Sequence, residues 1–151
     1  MAAAVNRISD MDLRNKLIEK IEAQGFPSGE GPLPVVSLDD FFLGNSDYGS
    51  IGCDLPNCPG PQVFFNKLRA ISGHDSVQDV LVEVNEVFKG DPQTWPFSNR
   101  IYVLSSAPIE QVRSWMAPLE PDEISEGWAN GFPSVAPGLK PGIKVYAAWW
   151  D

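Results

Sequence analysis

The chain is poor in the residues that most metal and nucleophile chemistry requires. It holds one histidine, His74, and two cysteines, Cys53 and Cys58, among 151 residues. A structural zinc site takes four ligands, with thiolates closely spaced. The C-x4-C pair and one imidazole would therefore need carboxylates to complete the set. A cysteine or serine nucleophile needs an adjacent base, and His74 falls at the far end of the expected fold, so thiol and serine-triad chemistry are set aside. Two cysteines make no disulfide framework, and an acidic neighbour such as Asp54 raises a thiol's pKa. Cys53 is expected to be a small buried apolar group.

Positive charge is scarce as well. The 11 Lys and Arg against 20 Asp and Glu leave a net charge of −9, which disfavours nucleic acid as a partner. No stretch approaches the ~18 apolar residues of a membrane span, and MAAAVNRISDMDLRNKL has no apolar run of signal-peptide length. The expectation is a soluble, cytoplasmic protein with no membrane partner and no cofactor.

Residues 44 to 60, GNSDYGSIGCDLPNCPG, are glycine-rich but hold no lysine, which excludes a phosphate-binding loop. Asn45, Asp47 and Gly49 resemble the start of a calcium loop, but its twelfth position is Pro56 where a bidentate glutamate is needed. The glycines are expected to serve turns with positive φ.

What is present is localised acidity. No base occurs between Glu22 and Asn66, where Glu22, Glu30, Asp39, Asp40, Asp47 and Asp54 lie. None occurs from Ser114 to Leu139, which hold Glu120, Asp122, Glu123 and Glu126.

Periodicity supplies the elements. Ser9 with Asp12 caps a helix over 9–24 carrying Leu13, Leu17 and Ile21, ended by Gly25. LPVVSL (33–38) reads as a strand, and SLDDFF as a brief helix capped by Ser37. Pro61 opens a helix with Phe64, Leu68 and Ile71 on one face. DVLVEVNEV (79–87) alternates with Val80, Val82 and Val84 on one side; RIYVLS (100–105) is another strand. Ser106 can cap a helix carrying Ile109, Val112 and Met116, and IKVYAAWW (143–150) is the last strand, with Ile143, Val145, Ala147 and Trp149 facing the core.

The order of elements predicts one α+β domain over 1–151. It is a ferredoxin-like split βαβ sandwich over 33–151, with a four-stranded antiparallel sheet and two helices on one face. The N-terminal helix is an addition that covers the other face or an edge. In that topology three long connections, 39–60, 88–99 and 117–142, meet at one end, and the short joints SGHDS and SSAP lie at the other. Function is placed at this acidic, aromatic loop end. The candidate partner-binding residues are Asp47, Tyr48, Asp54, Trp95, Asp122, Glu123 and Trp128.

The stretches DDFFLGNSDYGSIGC, WPFSNRIYVLSSAP, LEPDEISEGW and the terminal WWD resemble a family of small, stand-alone, uncharacterised bacterial proteins, over about residues 35–151. The resemblance implies a bacterial, cytoplasmic, single-domain protein and carries no functional residue across. The best functional reading is a non-enzymatic protein that docks a basic protein partner, similar to toxin-neutralising immunity proteins in size and charge alone. One alternative is a carboxylate-based hydrolase or a divalent-cation site, drawing on Asp40, Asp47, Asp54 and Asp122. Another is a homodimer or larger homo-oligomer formed through the terminal strand, with Tyr146 and Trp150.

Overall fold

The computed structural model describes residues 9–27 and 31–151, so Glu30 of the first acidic block lies outside the described residues. Ser9 Oγ accepts the Asp12 N–H at 3.1 Å and opens α1 (Asp10–Glu22), which buries Leu17, Ile18 and Ile21. β1 (Val35–Ser37) runs directly into α2 (Leu38–Phe42), where Ser37 Oγ accepts the Asp40 N–H at 3.1 Å. Pro61 begins α3 (Pro61–Ser72), its fixed φ being suited to a first helical turn. β2 (Val77–Glu83) and β3 (Arg100–Ser105) follow, then α4 (Ile109–Met116) with a 3-10 turn at Ala117–Leu119, β4 (Glu123–Glu126) and β5 (Lys144–Trp149). Ser106 does not cap α4. Pro108 takes the N-cap position, and Ser105 Oγ accepts the Ala107 N–H at 3.0 Å just before it.

The class is α+β, but the sheet is not a split βαβ. It has five strands in the order β1-β2-β3-β5-β4, with antiparallel neighbours throughout. In the split βαβ order the first strand would lie beside the third; here it pairs with the second, Val36 opposite Val82. The cause is α2. This short helix adds a reversal between β1 and α3, so β2 returns antiparallel to β1 and pairs with it directly. The same reversal brings the 43–60 loop back to the end where β2 turns into β3. The fifth strand, β4, came from a segment read as irregular. It is short, acidic and exposed, a composition that protects a sheet edge against pairing with other chains.

One face of the sheet carries Val36, Val80, Val82, Ile101, Val103, Tyr146 and Ala148, which pack with Phe41, Phe64, Leu68 and Met116 of the helices. β5 therefore has the opposite parity from the expected one: Tyr146, Ala148 and the adjoining Trp150 face the helices, while Val145 and Ala147 belong to the other face. Both alternate sets are apolar enough to be buried, so hydrogen-bond partners decide. Tyr146 Oη donates to the Ala107 carbonyl at 2.7 Å and Trp150 Nε1 to that of Leu119 at 2.8 Å, both beneath the helices. α1 joins this side, packing on α2 and β1 rather than on the opposite face. Just after it, the Gln24 amide covers the β1 edge, donating to Val35 O at 2.9 Å and accepting from Val35 N at 3.1 Å.

The second face is covered by a strap, residues 127–142. Trp128 packs edge-on against Tyr102 at 4.7 Å, the Ala129 N–H donates to Tyr102 Oη at 3.2 Å, and Gln78 Nε2 reaches the Gly138 carbonyl at 2.8 Å. Beneath it lies a carboxylate: Glu83, 1% exposed, accepts from Tyr102 Oη at 2.5 Å, Asn130 Nδ2 at 2.9 Å and Arg100 Nη1 at 3.0 Å. Burial, and then the hydrogen bond to Glu83, push the Tyr102 phenol above its ordinary value and hold it neutral.

Candidate functional site

At the loop end the 39–60 and 88–99 connections meet, and the start of the third, 120–122, joins them. Asp47 ties the first two together: Oδ1 accepts the Gly49 N–H at 2.9 Å within its own turn, and Oδ2 accepts the Trp95 N–H at 2.9 Å from the β2–β3 connection. Trp95 is 5% exposed and donates Nε1 to the Phe41 carbonyl at 2.8 Å, so it ties the loops down from within. Tyr48 is exposed, and its ring lies over Gly60, where an added Cβ would stand 2.7 Å from it. At Gly52, with φ +66°, a Cβ would meet the Phe64 ring at 2.5 Å, so the loop backbone runs against the core. Asp47, Tyr48 and Trp95 share a cleft of ≈ 350 Å³ with Asp10, Arg14 and Gln93.

Asp54 and Asp122 share a second hollow. This groove of ≈ 520 Å³ is lined by Asp54, Glu120, Asp122 and Asp151 over Leu55, Pro56 and Trp150, with no basic residue in its wall among the described residues. Asp122 is fixed there: its N–H donates to the Trp149 carbonyl at 2.8 Å, and its Oδ2 accepts the Asp151 N–H at 2.6 Å. The acidic segments 52–56 and 120–122 thus meet across Trp150.

The remaining two candidates are elsewhere. Glu123, at the start of β4, lines a hollow of ≈ 220 Å³ on the second face with Arg100, Ser125, Ala147 and Trp149. Trp128 belongs to the strap, because β4 carries the chain along the sheet edge and 127–142 returns across the face instead of staying at the loop end. The four aspartates considered for a shared cation site are dispersed: Asp40 pairs with Lys20 at 2.7 Å, Asp47 lines the first cleft, and only Asp54 and Asp122 meet. Among the described residues no three His, Cys, Asp or Glu side chains are grouped to hold a metal ion. Cys53 is exposed rather than buried, and Cys58 is half-buried; both are free thiols. Partial burial and then the Asp54 charge push the Cys53 thiol above its ordinary value, away from nucleophilic character. His74 stacks on Trp115 at 4.4 Å, away from both thiols. Tyr146 and Trp150 are buried, and β5 lies inside the sheet between β3 and β4.

A model of the uncharacterized protein YfbO family matches residues 12–148. The chain belongs to the YfbO family. It is similar to the uncharacterized protein YfbO of Escherichia coli (strain K12), 37% identical over 125 residues that span 80% of this chain and 84% of the relative. The match begins inside α1, so that helix is part of the family's unit and not an appendage to a core starting near residue 35. No solved structure matches.

Two buried charges escaped the sequence reading. Arg14 is 5% exposed, and its Nε donates to Thr94 O at 2.9 Å while its Nη2 donates to Phe88 O at 2.6 Å and Asp91 O at 3.0 Å. Its position was the available signal, because Arg14, Ile18 and Ile21 form one stripe of α1. Glu83 carried a weaker signal. It faces away from the Val80–Val82–Val84 side, and nothing local foretells that the strap will bury it.

Proposed function

We propose that this protein binds a basic protein partner through the groove formed by Asp54, Glu120, Asp122 and Asp151. One observation carries the reading: the two base-free segments of the chain meet in a concave surface whose wall holds no Lys or Arg among the described residues, over an apolar floor of Leu55, Pro56 and Trp150. A Lys or Arg side chain suits such a place, its stem lying on the apolar floor while its charge meets the carboxylates at the rim. Carboxylates held at a concave surface also speed encounter with a positive partner. Asp54 and Glu120 supply exposed charge, and Asp122, anchored through Asp151, fixes the groove's shape.

The test compares the wild-type chain with the Asp54→Lys/Glu120→Lys double variant as bait in native bacterial extract, followed by binding measurements on the purified partner. The expected result is a basic protein retained by the wild type at low salt, weakened by moderate salt, and lost from the variant. Equal capture by both baits, or a partner indifferent to salt, would overturn the reading.

A further inference from the structure

We infer that the cleft between α1 and the two loops is a binding site for a small zwitterion of the free α-amino-acid class, its carboxylate held by Arg14 and its ammonium by Asp10 and Asp47. The donor inventory of Arg14 is the starting point. A guanidinium has five N–H donors. Carbonyls of Phe88, Asp91 and Thr94 engage Nε and Nη2. These bonds use three donors, so the two left over both sit on Nη1, which has no hydrogen-bond partner among the described residues. The cation is 95% removed from solvent, being 5% exposed, yet none of the ion pairs among the described residues includes it. Asp91, whose carboxyl the Thr94 hydroxyl, the Gln93 N–H and then the Arg14 charge hold below its ordinary value, offsets that charge only from beyond ion-pair distance. Arg14 lines a cleft of ≈ 350 Å³, in the size range of small-molecule sites.

The opposite walls supply the complementary charge. Asp10 Oδ1 leans over Gly44, where the loop backbone with φ +80° passes so close to α1 that a Cβ would meet Leu13 Cδ1 at 2.8 Å. Each Asp47 oxygen accepts one backbone N–H and keeps a further lone pair for a ligand. A simple anion would satisfy Arg14 but face both aspartates, and a simple cation would face Arg14. A molecule carrying both charges on adjacent carbons meets all three groups, with its side chain toward the exposed Tyr48. This site shares no lining residue with the acidic groove and does not depend on the partner reading.

The experiment follows backbone amide chemical shifts of the full chain during titration with glycine and L-leucine, alongside acetate, methylamine and inorganic phosphate. The amino acids are expected to shift Met11, Ser46 and Gln93 saturably, with a Kd at least about tenfold below that of acetate or methylamine, since each charge-assisted contact is worth about that factor. Asp10→Asn, at an exposed residue, is expected to weaken amino-acid binding about tenfold while the spectrum stays dispersed. Arg14→Gln should abolish binding; if that variant unfolds, Asp10→Asn and the fragment series still decide. Acetate or phosphate binding as tightly as glycine would overturn the zwitterion assignment, as would unchanged affinity in Asp10→Asn. The absence of saturable shifts with either amino acid would overturn the site itself.

Discussion

The two faces of the sheet are covered in different ways. Helices pack apolar side chains onto one face, with Phe41, Phe42, Phe64 and Leu68 fully buried against the valines of β2 and β3. The other face is closed by the strap, a segment without helix or strand, and its centre is the charged network of Glu83, Arg100, Tyr102 and Asn130. Helices supply their own backbone hydrogen bonds and need only an apolar stripe to dock. An irregular strap has free backbone groups, and its Phe132, Val135 and Leu139 side chains stay exposed, so specific polar contacts must set where it lies. The helix side should therefore hold most of the stability, and the strap side should be the one whose register depends on individual hydrogen bonds.

Phe64→Ala should be the most damaging single change, at about 4 kcal/mol, because it leaves a large cavity between α3 and the sheet. Urea unfolding would read this, and a loss under about 1 kcal/mol would contradict the assignment of stability to the helix face. Glu83→Ala should cost about 3 kcal/mol, since it strands the Arg100 charge and the Tyr102 hydroxyl beneath the strap. Its expected signature is amide exchange that rises across 127–132 before it rises in β2 or β3. Uniform loosening of both faces would erase the distinction between them.

A milder break uses pH. Tyr102 is raised above the ordinary phenol value of 10.0, so the folded state keeps it neutral where the unfolded chain would ionise it. Its contribution is complete below that ordinary value and is lost as pH climbs above it toward the raised folded value. Tyr102→Phe should flatten the decline of stability with pH in that range, measured by urea unfolding at successive alkaline pH values. An unchanged slope would remove Tyr102 as its source. The smallest expected effect is that of Asn130→Ala, about 1 kcal/mol, which removes one of the bonds to Glu83 and should raise exchange in the strap alone.

The elements were mostly legible in the sequence because their signals are local. Ser9 and Ser37 form the caps that their spacing to Asp12 and Asp40 implies, and Pro61 begins the helix it was expected to begin. Val80, Val82 and Val84 all reach the main core. β4 escaped because EISE is short and acidic, and an edge strand with its face exposed need not be apolar. The parity of β5 escaped because VYAAWW is apolar on both of its alternating sides. For the candidate site, the meeting of Asp54 with Asp122 followed from the gathering of loops, whereas Trp128 and Glu123 were lost to the strap and the edge strand.

By itself the sequence determined most of the segments that become helices and strands, β4 excepted, and that positive charge is absent from two long stretches. Caps, periodicity and composition act within a few residues, so no tertiary information is needed to read them. Only the tertiary structure decided which strands are neighbours, which side of β5 is buried, and that Glu83 and Arg14 are interior charges. Each of those outcomes depends on a second segment distant in sequence: α2 reversing the chain, the Ala107 and Leu119 carbonyls flanking α4 accepting from Tyr146 and Trp150, the strap closing over Glu83, and the 88–94 turn offering its carbonyls to Arg14. The pairing of such segments is settled by packing and polar satisfaction over the whole molecule, which no local window contains.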